Sequence, residues 1–303
     1  MAGHGHHHHI DARAGDRRVA LAVGVNLVLT VVQVVGGILA GSLALIADAL
    51  HNFSDAIALI IAFGARMIAR RPADAEMTYG YGRAEVVAAL INYTTLIVIG
   101  LYLVYEAVMR FIEPQGVDGW MVVIVAGVAL VVDVATAMLT FTLSKTSVNI
   151  RAAFLHNVAD ALGSVAVIVA GTAIILWDWR LIDPAVTLLI AGYILWQSFA
   201  EIRGVIRILM LGSPPEIDAT EVVARLRGID GIASVHHAHL WQMGEHEPAF
   251  EAHLVIAEPD WERSLEIKAE ARALVEKEFG IRHTTFETEA DGGPEKRPPV
   301  YGH

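Results

Sequence analysis

Six stretches of this chain, roughly 19–40, 43–69, 85–111, 120–143, 152–177 and 182–208, are each apolar over the ~20 residues that a helix needs to cross a bilayer's hydrocarbon core. A chain that is 55% hydrophobic and only 18% charged is too oily for an ordinary soluble protein. From Ser213 onward the character changes to an acidic, alternating pattern. The expected fold is therefore six transmembrane helices followed by a soluble domain. Residues 1–210 hold 13 Lys and Arg against 15 Asp and Glu, whereas 211–303 hold 9 against 18. So acidic a domain argues against nucleic-acid binding and suits divalent cations.

Within these spans one phrase occurs twice, as Leu50-His51-Asn52-Phe53-Ser54-Asp55-Ala56 and Leu155-His156-Asn157-Val158-Ala159-Asp160-Ala161. His and Asp four positions apart share a helix face, so each copy offers an imidazole nitrogen and a carboxylate oxygen to one point. An ionisable group at membrane depth costs roughly 2.5 kcal/mol or more, and no Lys or Arg lies centrally in the spans to pair these acids. Asp55 and Asp160 must then be protonated or face a bound cation. A mixed set of two imidazoles and two carboxylates suits Zn2+, with Cd2+ and Co2+ close behind. Asp48 lies seven positions before Asp55 on nearly the same face, and reads either as an accessory acid or as a packing residue near the helix end. Asn26 and Gln33 share a face of the first span and suit interhelical hydrogen bonds, while Asp133 is a lone acid inside the fourth.

Basic residues orient the spans. Arg13, Arg17, Arg18, Arg70, Arg71, Arg83, Lys145, Arg151, Arg203 and Arg207 fall on one side and only Arg110 and Arg180 on the other, which predicts cytoplasmic termini. No cleavable signal peptide is expected before the first span. The spans bearing the two phrases then run in opposite directions, as in two inverted halves of three helices meeting at a midplane ion site. The chain has no Cys, which fits a reducing cytosol and rules out thiolate ligands.

After Gly212-Ser213-Pro214-Pro215, a helix-ending sequence, the pattern predicts a helix at 218–228, strands at 233–242 and 249–257, a helix at 260–279 and a strand at 282–289. The order αββαβ makes a small ferredoxin-like α+β layer.

Four segments together resemble the cation diffusion facilitator family of bacterial zinc, cadmium and cobalt exporters. They are Ser42–His51, the loop Tyr79-Gly80-Tyr81-Gly82-Arg83-Ala84-Glu85, the second His-x-x-x-Asp before Gly163-Ser164, and Val235 to Trp241. The resemblance runs from about Val19 to Glu289. It implies a homodimeric antiporter in a bacterial inner membrane that moves Zn2+ out of the cytoplasm in exchange for protons. The transport site would be His51, Asp55, His156 and Asp160. In the soluble domain the resemblance picks His236 and His253 as ligands of a regulatory ion, with His283 completing the set; Glu287, on the same strand face as His283, can add an oxygen. No cofactor is implied, since zinc is cargo and regulatory ligand.

The chain departs from the family in three places. Arg71-Pro72-Ala73-Asp74-Ala75-Glu76-Met77 lacks the His that a further metal site in this loop would use. The segment Ser144 to Asn149 is short and lacks the His-rich loop that eukaryotic members tend to have there; the His store is instead at the amino terminus, His4 and His6 to His9, read as a native, dispensable metal-collecting tail or else as a disordered tail or part of a tag. Leu211 stands where relatives often carry a Glu that would pair with Arg83. The expected organisation is a tail at 1–18, a membrane domain at 19–210, a metal-sensing and dimerisation domain at 213–290, and a flexible end at 291–303. Two other function classes fit the sequence less well. An intramembrane zinc hydrolase lacks a His-Glu-x-x-His pair, and a membrane-anchored metal sensor leaves a full mid-membrane ligand set unexplained.

Overall fold

The computed structural model describes residues 12–144, 148–245, 247–291 and 299–301, and the side chains of 12–23, 25, 26, 59, 139–144, 148–154 and 156 fall outside the description. His4 to His9, Lys145 and most of 291–303 therefore lie outside the described residues. The chain divides into two compact units, Met1–Ile60 with Asn92–Phe199, and Ile61–Ile91 with Ala200–His303.

Six long helices run in order: α1 (Ala12–Ala40), α2 (Leu43–Ala69), α3 (Arg83–Ile112), α4 (Gly119–Ser144), α5 (Val148–Trp177) and α6 (Ile182–Leu209). Among the described residues, segments of α2 to α6 are long and apolar enough to cross a membrane, and Leu27–Ala40 is a shorter apolar helix within α1. The described part of the first helix runs from Ala12, inside the expected 1–18 tail, and Ala and Arg between 12 and 18 favour helix beyond the apolar window.

In the first unit, Leu45, Leu103, Val122, Val167 and Ile194 form a core fed by α2 to α6. Small residues let α4 and α5 approach closely, since a Cβ on Gly119 would come within 2.7 Å of the Gly171 carbonyl oxygen. Gly41 makes the corner between α1 and α2. Its φ of 68° is left-handed, and a Cβ there would meet the Gly116 carbonyl oxygen at 2.6 Å, so no other residue fits without rearrangement. Val98, Val131, Leu189 and Trp196 project outward from the unit, as lipid-facing side chains would.

In the second unit, α7 (Ala219–Arg227), β1 (Ile232–Gly244), β2 (Glu247–Ile256), α8 (Ser264–Phe279) and β3 (His283–Ala290) follow the αββαβ order. Asp218 caps α7 by accepting from Thr220 N at 2.8 Å, and Gly280 closes α8 in a left-handed turn. The helix expected from 260 is preceded by a 3-10 turn, Glu258–Arg263, with Pro259 in its first turn, and continues as α-helix from Ser264. The sheet order is β1-β2-β3; β2 runs antiparallel to β1 and parallel to β3, the latter made possible by the α8 crossover. Val222 and Leu226 of α7, Ile267 and Val275 of α8, and Leu240, Phe250, Leu254 and Phe286 of the sheet enclose the core. Arg225 binds Glu278 through two hydrogen bonds of 2.6 and 2.5 Å, joining α7 to α8.

Candidate metal centre

His51 and Asp55 sit one turn apart on α2, and Asp160 reaches them from α5. His51 Nε2 lies 3.8 Å from Asp55 Oδ2 and 3.4 Å from Asp160 Oδ1, and one ligand atom from each of the three falls within 4.8 Å of the others. Two ligands bound at zinc distances on a tetrahedron stand ~3.4 Å apart, so this spacing matches the edges of one coordination sphere. Side-chain exposures of 11% for His51, 10% for Asp160 and 27% for Asp55 leave the group largely out of water. His156 lies on α5 one turn before Asp160, and its side chain is outside the described residues. The rings of Tyr193 on α6 and His51 stand nearly perpendicular, with centroids 6.3 Å apart.

Asp48 is buried but stands outside this trio. Its Oδ2 accepts a 2.7 Å bond from Gln33 of α1, whose own carbonyl oxygen accepts from Asn52 at 3.4 Å. Ser164 of α5 stands between two acids, 3.5 Å from Asp48 Oδ2 and 3.0 Å from Asp133 Oδ2 of α4. Asp48 thus belongs to a polar network that ties α1, α2, α4 and α5 together beside the trio. The Asp133 contact was not legible in the sequence, because it depends on how α4 and α5 are rotated against each other.

A second group forms on the sheet. His236 and His253 are direct cross-strand partners, and Glu289 meets both, at 3.3 Å from His236 Nε2 and 2.6 Å from His253 Nδ1. Glu287 lies 3.4 Å from His253 Nε2. His283 stands apart from this group: it pairs with Ala249, four residues from His253 on β2, and its ring meets Tyr79 at 5.9 Å. The parallel register of β3 is the reason, since it sets Glu287 rather than His283 beside His253. Glu289 takes the place expected for His283. Its position was readable as the next same-face residue after Glu287, but only once the register is known.

The His-free loop between α2 and α3 uses its acid for structure. Asp74 accepts from Glu76 N, Met77 N and the Tyr81 hydroxyl at 2.9, 2.8 and 2.7 Å. The Tyr81 bond, followed by the two backbone bonds, holds its carboxyl below the ordinary value of 3.8. Arg83 donates to the carbonyl oxygens of Met243 and Gln242, at 3.2 and 3.4 Å, where a salt bridge to position 211 would have needed a Glu.

Residues 19–210 match the family described as cation efflux transmembrane domain, and residues 214–290 match that described as cation efflux protein, cytoplasmic domain. Relatives are similar over nearly the whole chain. The cadmium, cobalt and zinc/H(+)-K(+) antiporter of Bacillus velezensis is 34% identical over 95% of this chain and 92% of its own. The metal cation efflux system protein CzcD of Cupriavidus metallidurans is 30% identical over 95% and 90%. The zinc transporter ZitB of Escherichia coli is 34% identical over 94% and 92%.

Proposed function

The chain belongs to the cation efflux family, and from that premise we propose that it is a secondary active Zn2+/H+ antiporter that also accepts Cd2+ or Co2+. It is an integral membrane transporter and not an enzyme. Zinc binds from the cytoplasm at His51, Asp55, His156 and Asp160, with Asp48 as an accessory acid. The convergence of His51, Asp55 and Asp160 from two helices, at the spacing of a shared coordination sphere, is the observation that carries this reading.

Exchange follows from ligand chemistry. Metal requires neutral imidazole and ionised carboxylate, so loading expels protons and proton return releases metal. A buried pair of carboxylates is costly without a counter-charge, so the empty site carries protons on its way back. Exposing one site alternately to each side is then enough for coupled exchange. The protein sits in a bacterial inner membrane with both termini cytoplasmic. The working parts are a tail at 1–18, a membrane domain at 19–210, a metal-sensing and dimerising domain at 213–290 and an end segment at 291–303. His236 and His253, with Glu289 in the place first expected of His283, bind a regulatory ion that favours pairing of two such domains.

The test is the full chain in proteoliposomes with a zinc-sensitive dye inside and an imposed pH difference. Zinc accumulation that follows the size and sign of that difference is expected. Flux that ignores it would overturn proton coupling.

A further inference from the structure

At the end of α2 remote from Ala69, a carboxylate from another helix caps the first turn. Asp183, in the first turn of α6 and fully buried, accepts from the Ser42 hydroxyl at 2.5 Å, from Leu43 N at 2.8 Å and from Ala44 N at 3.4 Å. The first N–H groups of a helix have no partner within it, and a negative charge there is favoured by the helix dipole. Ser42 accepts from Leu45 N while donating to Asp183, so the cap has two layers. Arg110, in the last turn of α3, lies 3.6 Å from Asp183 and also donates to the carbonyl oxygen of Gly41. The preceding carbonyl, that of Ala40, accepts from Asp118 N at 2.8 Å. One buried ion pair therefore fastens the α1–α2 corner, the end of α3 and the start of α6.

We propose that Asp183, neutralised by Arg110, is a positioning residue for the metal site: it sets the rotation and height of α2, and with them His51 and Asp55. This rests on the reading of His51, Asp55 and Asp160 as the transport site. Leu43 to Asp55 contains neither Gly nor Pro, so a rotation at the first turn passes undamped to the ligands. A constellation of this kind needs its groups held within about 0.5 Å and 10–20°. The same α6 touches α2 again where Tyr193 meets His51, so it braces α2 at two heights. Arg suits the second role because its planar fork serves a carboxylate and a carbonyl at once, which a Lys ammonium does less well.

The experiment uses full-length protein carrying His236→Ala and His253→Ala to silence the sheet site, purified in detergent and titrated with Co2+. The visible bands of tetrahedral Co2+ report ligand geometry, which a merely structural role would leave unchanged in folded protein. Asp183→Asn keeps an acceptor for Leu43 N but strands the Arg110 charge. It is expected to weaken Co2+ binding about tenfold or more and to dim the tetrahedral bands, the scale seen when the support of a ligand is lost. Adding Arg110→Gln removes the stranded charge and is expected to recover most of the affinity. Arg110→Lys, which keeps the charge and is the milder change, is expected to shift binding in the same direction by a smaller factor. Unchanged Co2+ affinity and spectrum in Asp183→Asn or, should that variant fail to insert, in Arg110→Lys would overturn the proposal. Asp55→Ala separates the two readings. If its Co2+ bands persist, the transport-site assignment fails; if they vanish while Asp183→Asn matches the parent, only the positioning role fails.

Discussion

Asp160 of α5 reaches to within 3.4 Å of His51 Nε2 on α2, so two phrases more than a hundred residues apart in the chain share one small, nearly dry space. The pairing brings one imidazole and two carboxylates from the two helices within reach of one another, and several outcomes follow if they hold the transported ion.

Asp55→Ala and Asp160→Ala should each abolish zinc transport in protein that still inserts. Removing one partner of a buried charge pairing costs about 3–5 kcal/mol, which is more than about a hundredfold in affinity. Zinc flux in proteoliposomes is the measurement, and parental rates in both variants would refute the site.

Replacing His51 by Asp leaves one imidazole and three carboxylates, counting His156. Harder ligands favour harder ions, so competition uptake should move from Zn2+ toward Mn2+. An unaltered Zn2+/Mn2+ ratio would mean that His51 does not touch the transported ion.

On the sheet, the combined His236→Ala, His253→Ala and Glu289→Ala variant should still transport but require more cytoplasmic zinc for half-maximal rate, because metal no longer favours pairing of the domains. His283→Ala should leave that zinc dependence alone, since its contact is the Tyr79 ring. Dose–response curves for the two variants decide between Glu289 and His283 as the third member.

The Asp74 loop predicts a pH effect of definite sign. Its folded pKa is depressed, chiefly by the Tyr81 hydroxyl bond, so the support it lends is present above the ordinary value of 3.8 and is lost as pH falls through the lower folded value. The protection of the Glu76 and Met77 amides, taken relative to their intrinsic exchange rates at each pH, should fall in that acid range. In the other direction, the Asp74 bond raises the Tyr81 pKa, so Asp74→Asn should let one tyrosine titrate at lower pH by ultraviolet absorbance. Matching titrations of the parent and this variant would contradict the contact.

The sequence by itself determined the parts whose signal is local. Six apolar windows specify six helices because each must satisfy its backbone and its lipid exposure within one segment, and the helices observed agree to within a few residues except where Ala12 extends the first. The repeated L-H-N-x-x-D-A phrase placed His51 and Asp55 on one face, since four positions make about one turn whatever surrounds the helix. The αββαβ order was readable for the same reason. Tertiary structure decided what depends on relative rotation and register. The parallel offset of β3 against β2 put Glu289 with His236 and His253 and carried His283 to Tyr79, and no pattern within β3 encodes that offset. Asp48, legible only as an acid near the ligands, became a partner of Gln33 and Ser164 through the packing of α1 and α5 against α2. In the sequence Arg110 reads only as one of two basic residues on the outer side, and nothing there links it to Asp183. Their joining across 73 residues of chain needs the helix ends to be brought together, which is a long-range packing result that local periodicity does not carry.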